Sequence, residues 1–114
     1  MSHLSILPTV LRDADRLTAT LETLGFSPRR GGSLESFARQ RQPVELSVQL
    51  PDGLRIGWQR QSDGSLALVC DLQRLNRSRS LPLLLGRITR AYAVRQALDA
   101  AAEFLPMAQI EVSA

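Results

Sequence analysis

The sequence contains no lysine, one cysteine and one histidine among its 114 residues. The lone Cys70 excludes a disulfide within the chain, which is typical of a protein in a reducing cytoplasm. One cysteine and one histidine are too few ligands for a zinc centre built from a single chain. Clustered carboxylates with metal-binding spacing are also lacking, and we therefore predict no metal or other cofactor.

Long apolar runs and targeting signals are lacking as well. No segment is long and apolar enough to span a bilayer. The start, MSHLSILPTVLRDADR, lacks the basic leader and the small-residue cleavage site of a signal peptide. The glycine-rich phosphate loops GxxxxGK(S/T) and GxGxxG are missing too. We predict a soluble cytoplasmic protein with one domain over residues 1–114.

The charge is modest and its basic part is all arginine. The formal net charge is +3, with 14 basic residues against 11 acidic ones. Arginine binds phosphate in a bidentate manner and is better suited to it than lysine. A lysine-free chain is, however, also what a GC-rich genome produces. This small excess of positive charge is less than the strongly basic surface that is typical of a nucleic-acid-binding protein.

The pattern of residues 44–72, at the centre of the chain, predicts three strands joined by two tight turns. Apolar and polar side chains alternate along each strand, and a period of two predicts one buried face and one outward face. The buried set comprises Val44, Leu46, Val48, Leu50, Leu54, Ile56, Trp58, Leu66, Leu68, Cys70 and Leu72.

The two turns must preserve this alternation, because a slip of one residue would turn a strand inside out. A three-residue Pro-Asp-Gly loop pairs Val48 with Ile56, and a three-residue Ser-Asp-Gly loop pairs Trp58 with Leu68. In each loop the glycine takes the left-handed position after a type I turn. Two independent turns thus predict the same antiparallel meander.

The part before the meander predicts a strand, a helix and a doubtful second strand. Residues 3–10 suit a strand that Pro8 confines to an edge or an end. Asp13 is a candidate N-cap for a helix that ends at Gly25. The stretch 27–33 has the composition of a flexible connection.

Residues 34–40 are the doubtful strand. They would bury Leu34 and either Ser36 or Phe37, and the parity of the sequence leaves this choice open. Gln42 and Pro43 then lead into the meander.

After the meander, the sequence predicts a polar loop over residues 73–80 and a second helix. Ser80 as cap and Pro82 in the first turn favour a helix start there, and Pro106 ends the helix. Residues 109–112 add a last strand. The apolar stripe of this helix comprises Leu84, Leu85, Ile88, Ala91, Tyr92, Leu98, Ala102 and Leu105, interrupted by Arg95.

The resulting order is β-α-β-β-β-β-α-β. Two amphipathic helices and a sheet with one apolar face predict a two-layer α+β sandwich. Its sheet is mainly antiparallel, with the meander of residues 44–72 at the centre and both helices on one face.

The outward face of the sheet is the first candidate site. Small residues at its centre would leave it flat and slightly recessed, which suits contact with another protein; the alternative is an ordinary solvated face. The candidate protein-binding residues are Ser47, Gln49, Arg55, Gly57, Gln59, Val69 and Asp71.

Two residue pairs are candidates for chemistry. The register sets Asp71 opposite Arg55, as a cross-strand ion pair or as a ligand-binding carboxylate. Cys70 could act with His3 as a nucleophile only if the fold brings them together. Its place in the alternation favours a buried thiol that behaves as a small hydrophobe. We therefore predict no catalytic residue.

Arg74, Arg77 and Arg79 form a basic cluster just before the second helix. This position suits an anion, whereas the alternative is a solvated loop. A platform of exposed aromatic side chains for single-stranded nucleic acid is missing.

Several short motifs occur in a characteristic order. They are MSH, RD and LGF near the start, LPDG and IGW within residues 50–58, LVCD at 68–71 and ITRAYA at 88–93. In order and spacing the chain resembles the hypothetical chloroplast reading frame thirty-five family of cyanobacteria and algal plastids. The resemblance implies a cyanobacterial cytosol or a plastid stroma. It implies no activity, cofactor or site residue.

Two functions remain open. The first is a small non-catalytic accessory protein that binds another protein through the outward sheet face or an uncovered edge strand. The alternative is an RNA or phosphate binder that uses the arginine-rich loop 74–79.

Overall fold

The computed structural model describes residues 4–35, 40–71, 73, 77 and 80–108, with the side chains of the last helix as far as Glu103. It has the predicted α+β class: a five-stranded antiparallel sheet, a two-stranded sheet and two helices. The strands are β1 Leu4–Leu7, β2 Arg29–Arg30, β3 Ser33–Glu35, β4 Arg41–Pro43, β5 Leu46–Gln49, β6 Arg55–Arg60 and β7 Leu66–Asp71; the helices are α1 Ala14–Thr23 and α2 Ser80–Ala108.

The five-stranded sheet has the order β1-β7-β6-β5-β2, so the predicted meander β5-β6-β7 lies at its centre. The register is the predicted one, with Val48 opposite Ile56 and Trp58 opposite Leu68. Among the described strands β1 pairs with β7 alone and therefore forms an edge, as expected for a strand followed by Pro8.

The two turns of the meander confirm why this register was predictable. Gly53 donates its N–H to the Leu50 carbonyl at 2.8 Å, and Gly64 donates to the Gln61 carbonyl at 3.0 Å. Both glycines have φ near +90° (89° and 88°), a backbone conformation that favours glycine. Local turn chemistry and the alternation of apolar residues therefore select the same strand pairing.

Helix α1 begins and ends with the predicted residues. The Asp13 side chain accepts the Arg16 N–H at 3.0 Å and so caps the helix. At the other end Gly25 has φ +95°, and the Phe26 N–H reaches back to the Leu21 carbonyl at 3.0 Å. This Schellman-type end turns Phe26 back against the core, as expected.

Both helices pack on the inner face of the sheet and form the main core there, as predicted. Trp58 and Tyr92 point inward, and Cys70 is fully buried. Burying each large apolar side chain contributes about 1.5–3 kcal/mol. The most deeply buried members of this core are Leu17, Leu21, Leu46, Val48, Ile56, Trp58, Leu66, Cys70 and Ile88.

The outer face of the sheet is covered, contrary to expectation. The β3–β4 hairpin lies on it, and Leu34, Val44 and Val69 form a second small core with Leu4. The helices and the five-stranded sheet form the predicted two layers, to which this hairpin adds a partial third. The alternation of residues within the meander does not indicate that a segment distant in sequence covers the sheet.

A β-bulge explains why Val44 belongs to this outer core rather than to the inner face. Glu45 donates its N–H to the Trp58 carbonyl at 2.7 Å, while Leu46 is the paired residue opposite Trp58. Two residues thus oppose one, which reverses the alternation before Leu46. The inward assignment of Val44 was wrong for this reason.

The stretch predicted as a flexible connection is ordered. β2 pairs with β5 at the sheet edge, where Arg29 lies opposite Ser47. Gly31 and Gly32 follow with φ of 75° and 83°, and the Val44 N–H donates to the Gly32 carbonyl at 3.0 Å. The two glycines therefore turn the chain from the sheet edge onto the outer face.

The doubtful strand is present as β3, and Leu34 within it is 3% exposed. Ser36 and Phe37, the alternatives for the second buried residue, lie outside the described residues, as does Leu72.

Helix α2 is longer than predicted. Ser80 is already helical rather than a cap, and the helix passes Pro106 and ends at Ala108. Proline removes one backbone donor, and so late in the helix that loss leaves the remaining turn intact. Within the predicted loop, Gln73 and Arg77 are helical. The predicted strand 109–112 lies outside the described residues.

Within the described part of the chain, neither helix has the length and apolar character that crossing a membrane requires.

We expect Gly57→Ala to destabilise the fold by about 1–3 kcal/mol, because overpacking a close contact forces displacement. A Cβ at this position would lie 2.9 Å from Val44 Cγ1 and 3.1 Å from Leu34 Cδ1. Chemical denaturation measures the loss.

The matched control is Gly86→Ala in α2, where the nearest atom is the flexible end of Arg90 at 3.2 Å. Alanine should stabilise that helix by up to about 1 kcal/mol. If the Gly57 and Gly86 variants were equally stable, the close packing of the hairpin on the sheet would be refuted.

Candidate functional site

The centre of the predicted protein-binding face is not open to solvent. Ser47, Gly57 and Val69 do lie side by side across three strands. However, Ser47 is 3% exposed and Val69 0%, because the β3–β4 hairpin covers them. The predicted open surface at the centre of the face is therefore corrected to a packed interface within the chain.

The residues at the rim of the same face differ in their exposure and in their contacts. Gln59 donates its side-chain N–H groups to the Pro43 carbonyl at 2.9 Å and to Gln42 Oε1 at 3.2 Å, and so holds the hairpin in place. Asp71 is 7% exposed, and its carboxylate accepts the Gln73 N–H at 3.0 Å. Both residues therefore have structural contacts.

Gln49 and Arg55, opposite each other in β5 and β6, remain accessible. The Arg55 guanidinium donates to Gln49 Oε1 at 3.3 Å. Arg55 thus contacts Gln49 rather than forming the predicted cross-strand pair with Asp71. This corner is the part of the predicted face that can still meet a partner directly.

Two adjoining clefts open at this corner. The first, of about 390 Å³, is lined by Phe26, Arg29, Gln49, Pro51 and Arg55, among others. The second, of about 290 Å³, shares Phe26 and Pro51 and adds Leu50, Leu81, Leu84, Arg87 and Asp52. We name the pair of clefts the basic groove.

The basic groove joins positive charge to an apolar floor. Arg29, Arg55 and Arg87 form no salt bridge within the described part of the chain, whose ion pairs involve other arginines. Asp52 is the acidic side chain among the lining residues, and its Oδ1 accepts the Leu54 N–H at 3.0 Å. The groove therefore favours an acidic ligand.

The groove also exposes a sheet edge. The Leu50 N–H donates across to the Leu54 carbonyl at 2.7 Å, so its neighbour Gln49 turns its backbone groups the opposite way, towards the side of β2. Pairing with β2 extends only over Leu46 and Ser47. The backbone of Gln49 lies beyond that pairing and faces the groove.

A second cluster of arginines lines a cleft of about 420 Å³ beside the start of α1. Three of its four arginines form ion pairs: Arg16 lies 3.0 Å from Asp99, Arg30 2.9 Å from Asp15 and Arg60 3.1 Å from Glu45. The fourth, Arg12, donates to the Asp63 backbone carbonyl. These contacts join α1 to α2 and β2, and β6 to the segment before β5. The cleft acts as a structural tie rather than as a free basic site.

The predicted anion-binding cluster is only partly described. Arg77 is helical and exposed, while Arg74 and Arg79 lie outside the described residues. Anion binding by these three residues stays a prediction.

Cys70 is buried, as predicted, and His3 lies outside the described residues. Burial, with a smaller effect of the Asp71 charge, raises the pKa of the Cys70 thiol from 9.0 to about 11. The thiol is protonated at neutral pH, so it is a poor nucleophile and packs as a small apolar group.

The sequence reasoning missed Phe26, Arg29, Pro51, Leu81 and Arg87 as members of one site. They come from three parts of the chain, namely residues 26–29, the turn at Pro51 and helix α2, and only the packing of α2 against the turn after β5 brings them together. The available signal was the Pro-Asp-Gly turn itself, which ends β5 and leaves its last residue at an edge.

A sequence profile for a family of proteins of unknown function, DUF1257, matches residues 20–109. The match spans more than three quarters of the chain, which therefore belongs to the DUF1257 family. It begins inside α1 and includes every later described strand and α2. No curated protein and no solved structure matches the chain. Family membership alone assigns no activity or site residue.

We expect the raised pKa of Cys70 to make stability fall as the pH rises from about 9 to about 11. In that range the unfolded thiol loses its proton while the folded one keeps it, so the unfolded state is favoured. Denaturant midpoints at successive pH values measure this decline. The chain has no lysine to titrate in the same pH range.

Cys70→Ala is the control for this effect. The stability of the variant is compared with its own value at neutral pH. It should fall less steeply with rising pH than the stability of the wild type. Equal declines would show that the buried thiol is not their source.

Proposed function

We propose that this member of the DUF1257 family is a non-catalytic accessory protein that binds an acidic, extended segment of another protein in the basic groove. The observation that carries the proposal is the juxtaposition of an apolar floor at a sheet edge with three arginines that form no salt bridge to any residue the structure describes. Gln49 and Arg55, already candidates from the sequence, belong to this groove.

Each part of the groove has a matching part in such a ligand. The backbone of Gln49 offers a donor and an acceptor to an added strand. Arg29 and Arg55 line the first cleft and suit carboxylates, which guanidinium groups bind in a bidentate manner. The second cleft, over Leu50 and Leu81, suits one apolar side chain of the same segment.

The apolar floor favours a protein ligand over nucleic acid. A phosphate backbone would satisfy the arginines but would leave the second cleft unfilled. RNA or phosphate binding, with Arg74, Arg77 and Arg79 as further contacts, is the alternative that the experiment must separate. An enzyme is disfavoured because Asp71, the carboxylate of the candidate pair, is buried.

We further propose a cyanobacterial cytosol or a plastid stroma as the place where this protein acts. The support is the resemblance of the ordered LPDG, IGW and ITRAYA motifs to the chloroplast reading frame thirty-five family. The proposal limits the cells from which a partner should be sought.

The test is affinity capture from a lysate of the source organism with wild-type protein and Arg29→Glu. Arg29 is exposed, so the change should leave folding intact while placing a negative charge in the groove. We expect a specific protein to be captured by the wild type and reduced at least tenfold by the variant. Arg90→Glu on α2, an equally exposed arginine outside both clefts, should capture it normally.

Nuclease treatment and high salt separate the alternatives. A complex that survives nuclease and keeps part of its strength in high salt supports the protein-binding proposal. Capture that vanishes with nuclease, or falls steeply with salt, would support RNA or phosphate binding instead. Equal capture by wild type and Arg29→Glu would refute the groove.

A further inference from the structure

We propose that α2 packs antiparallel against α2 of a second copy of this chain, around a two-fold axis that passes between Val94 and Leu98. This surface adjoins the basic groove at Arg87, which lines the second cleft, but the inference does not depend on the proposed function. It starts from a correction: Leu98 and Ala102, expected to face the core, are exposed.

Helix α2 continues beyond the body of the domain. Its core-facing side ends at Tyr92; one and two turns later Arg95 donates to Thr23 Oγ1 at 3.2 Å, and Asp99 pairs with Arg16. Between positions 93 and 103, every residue except Arg95 is exposed. The contacts of Arg95 and Asp99 hold one side of this segment against α1, and its other side is left for a partner.

The exposed part carries an apolar stripe made of Val94, Leu98 and Ala101. Val94 is 59% exposed and Leu98 is 64% exposed. At about 3.6 residues per turn, this stripe lies roughly a third of a turn from the side of Ile88 and Tyr92 that meets the core. The body of the domain therefore leaves the α2 stripe accessible.

The order of residues in the stripe makes it complementary to itself. Spacings of four and then three residues are the heptad pattern of helices that pack on one another, and Leu105 and Ala108 continue it in sequence. In an antiparallel pair centred between Val94 and Leu98, Val94 of each copy meets Leu98 of the other. A two-fold axis requires this reciprocity of an interface.

Alanines on both sides of this central layer allow the two backbones to approach closely. Ala91 of one copy would meet Ala101 of the other, one turn out from the Val94 and Leu98 contacts. Small residues opposite each other are tolerated there because the larger pair at the centre supplies the apolar contact. A partner without this arrangement would leave either gaps or clashes.

The charges of α2 also favour the antiparallel arrangement. The last turn of α2 contains no basic residue to complement the negative end of the helix dipole. Antiparallel packing brings Arg87 of the second copy beside that turn. Parallel packing would leave the negative ends of both helices together.

Light scattering after size-exclusion chromatography should give twice the mass of one chain for the wild type. Leu98→Glu would place a charge at the centre of the pair, so it should halve the measured mass without loss of helix content. Ala100→Glu, at an exposed position on the other side of α2, should remain dimeric. A monomeric wild type, or a dimeric Leu98→Glu variant, would overturn the proposal and leave the stripe to a different partner.

Disulfide trapping tests the orientation independently. In a Cys70→Ala background, Val94→Cys and Leu98→Cys should cross-link between copies only when the two variants are mixed, because unlike positions meet. Cross-links within each single variant would indicate a parallel pair and would contradict the antiparallel axis. Absence of any cross-link in the mixture would count against it as well.

Discussion

The close approach of the β3–β4 hairpin to Gly57 is the constraint on which the rest of the structure depends. A side chain at this position would occupy the space now filled by Val44 and Leu34, so the strand can carry a second layer only because glycine is there. The bulge opposite Trp58 brings Val44 to that side, and the turn at Gly31 and Gly32 carries the chain across. These features together convert an outward sheet face into a small second core.

Covering both faces of the sheet moves the available binding surface to the periphery. Helices occupy the inner face and the hairpin occupies much of the outer one, so the accessible parts of the sheet are its edges. The basic groove lies at one such edge. There β5 extends beyond the residues that pair with β2, next to arginines from three different elements. The α2 stripe arises because the helix is longer than the sheet on which it packs. The two proposed contacts thus result from ends of elements rather than from their packed faces.

The burial of Cys70 and Asp71 and the contacts of the arginines beside α1 follow from packing and hydrogen bonding within the chain. Cys70 is buried with a raised pKa, and Asp71 is held beside the backbone of the segment that follows β7. Arg16 of α1 pairs with Asp99 of α2, and Arg30 of β2 pairs with Asp15 of α1. The chain is thus a small α+β domain of a family of unknown function.

The sequence by itself determined the meander, the capped first helix and the inner core. Each depends on short-range signals: a period of two, a Pro-Asp-Gly or Ser-Asp-Gly turn, and an Asp and a Gly at the ends of a helix. Such signals act within a few residues, so they can be interpreted without knowledge of the fold.

Only the tertiary structure decided which faces are covered, and therefore which residues can bind. Alternation places Ser47, Gly57 and Val69 on one face, but cannot reveal that Leu34 and Val44 lie on top of them. Helical spacing includes Leu98 in one stripe with Tyr92, but the sheet ends before the helix does. Burial is a property of distant contacts, which is why the predicted centre of the site was lost while its corner at Gln49 and Arg55 remained.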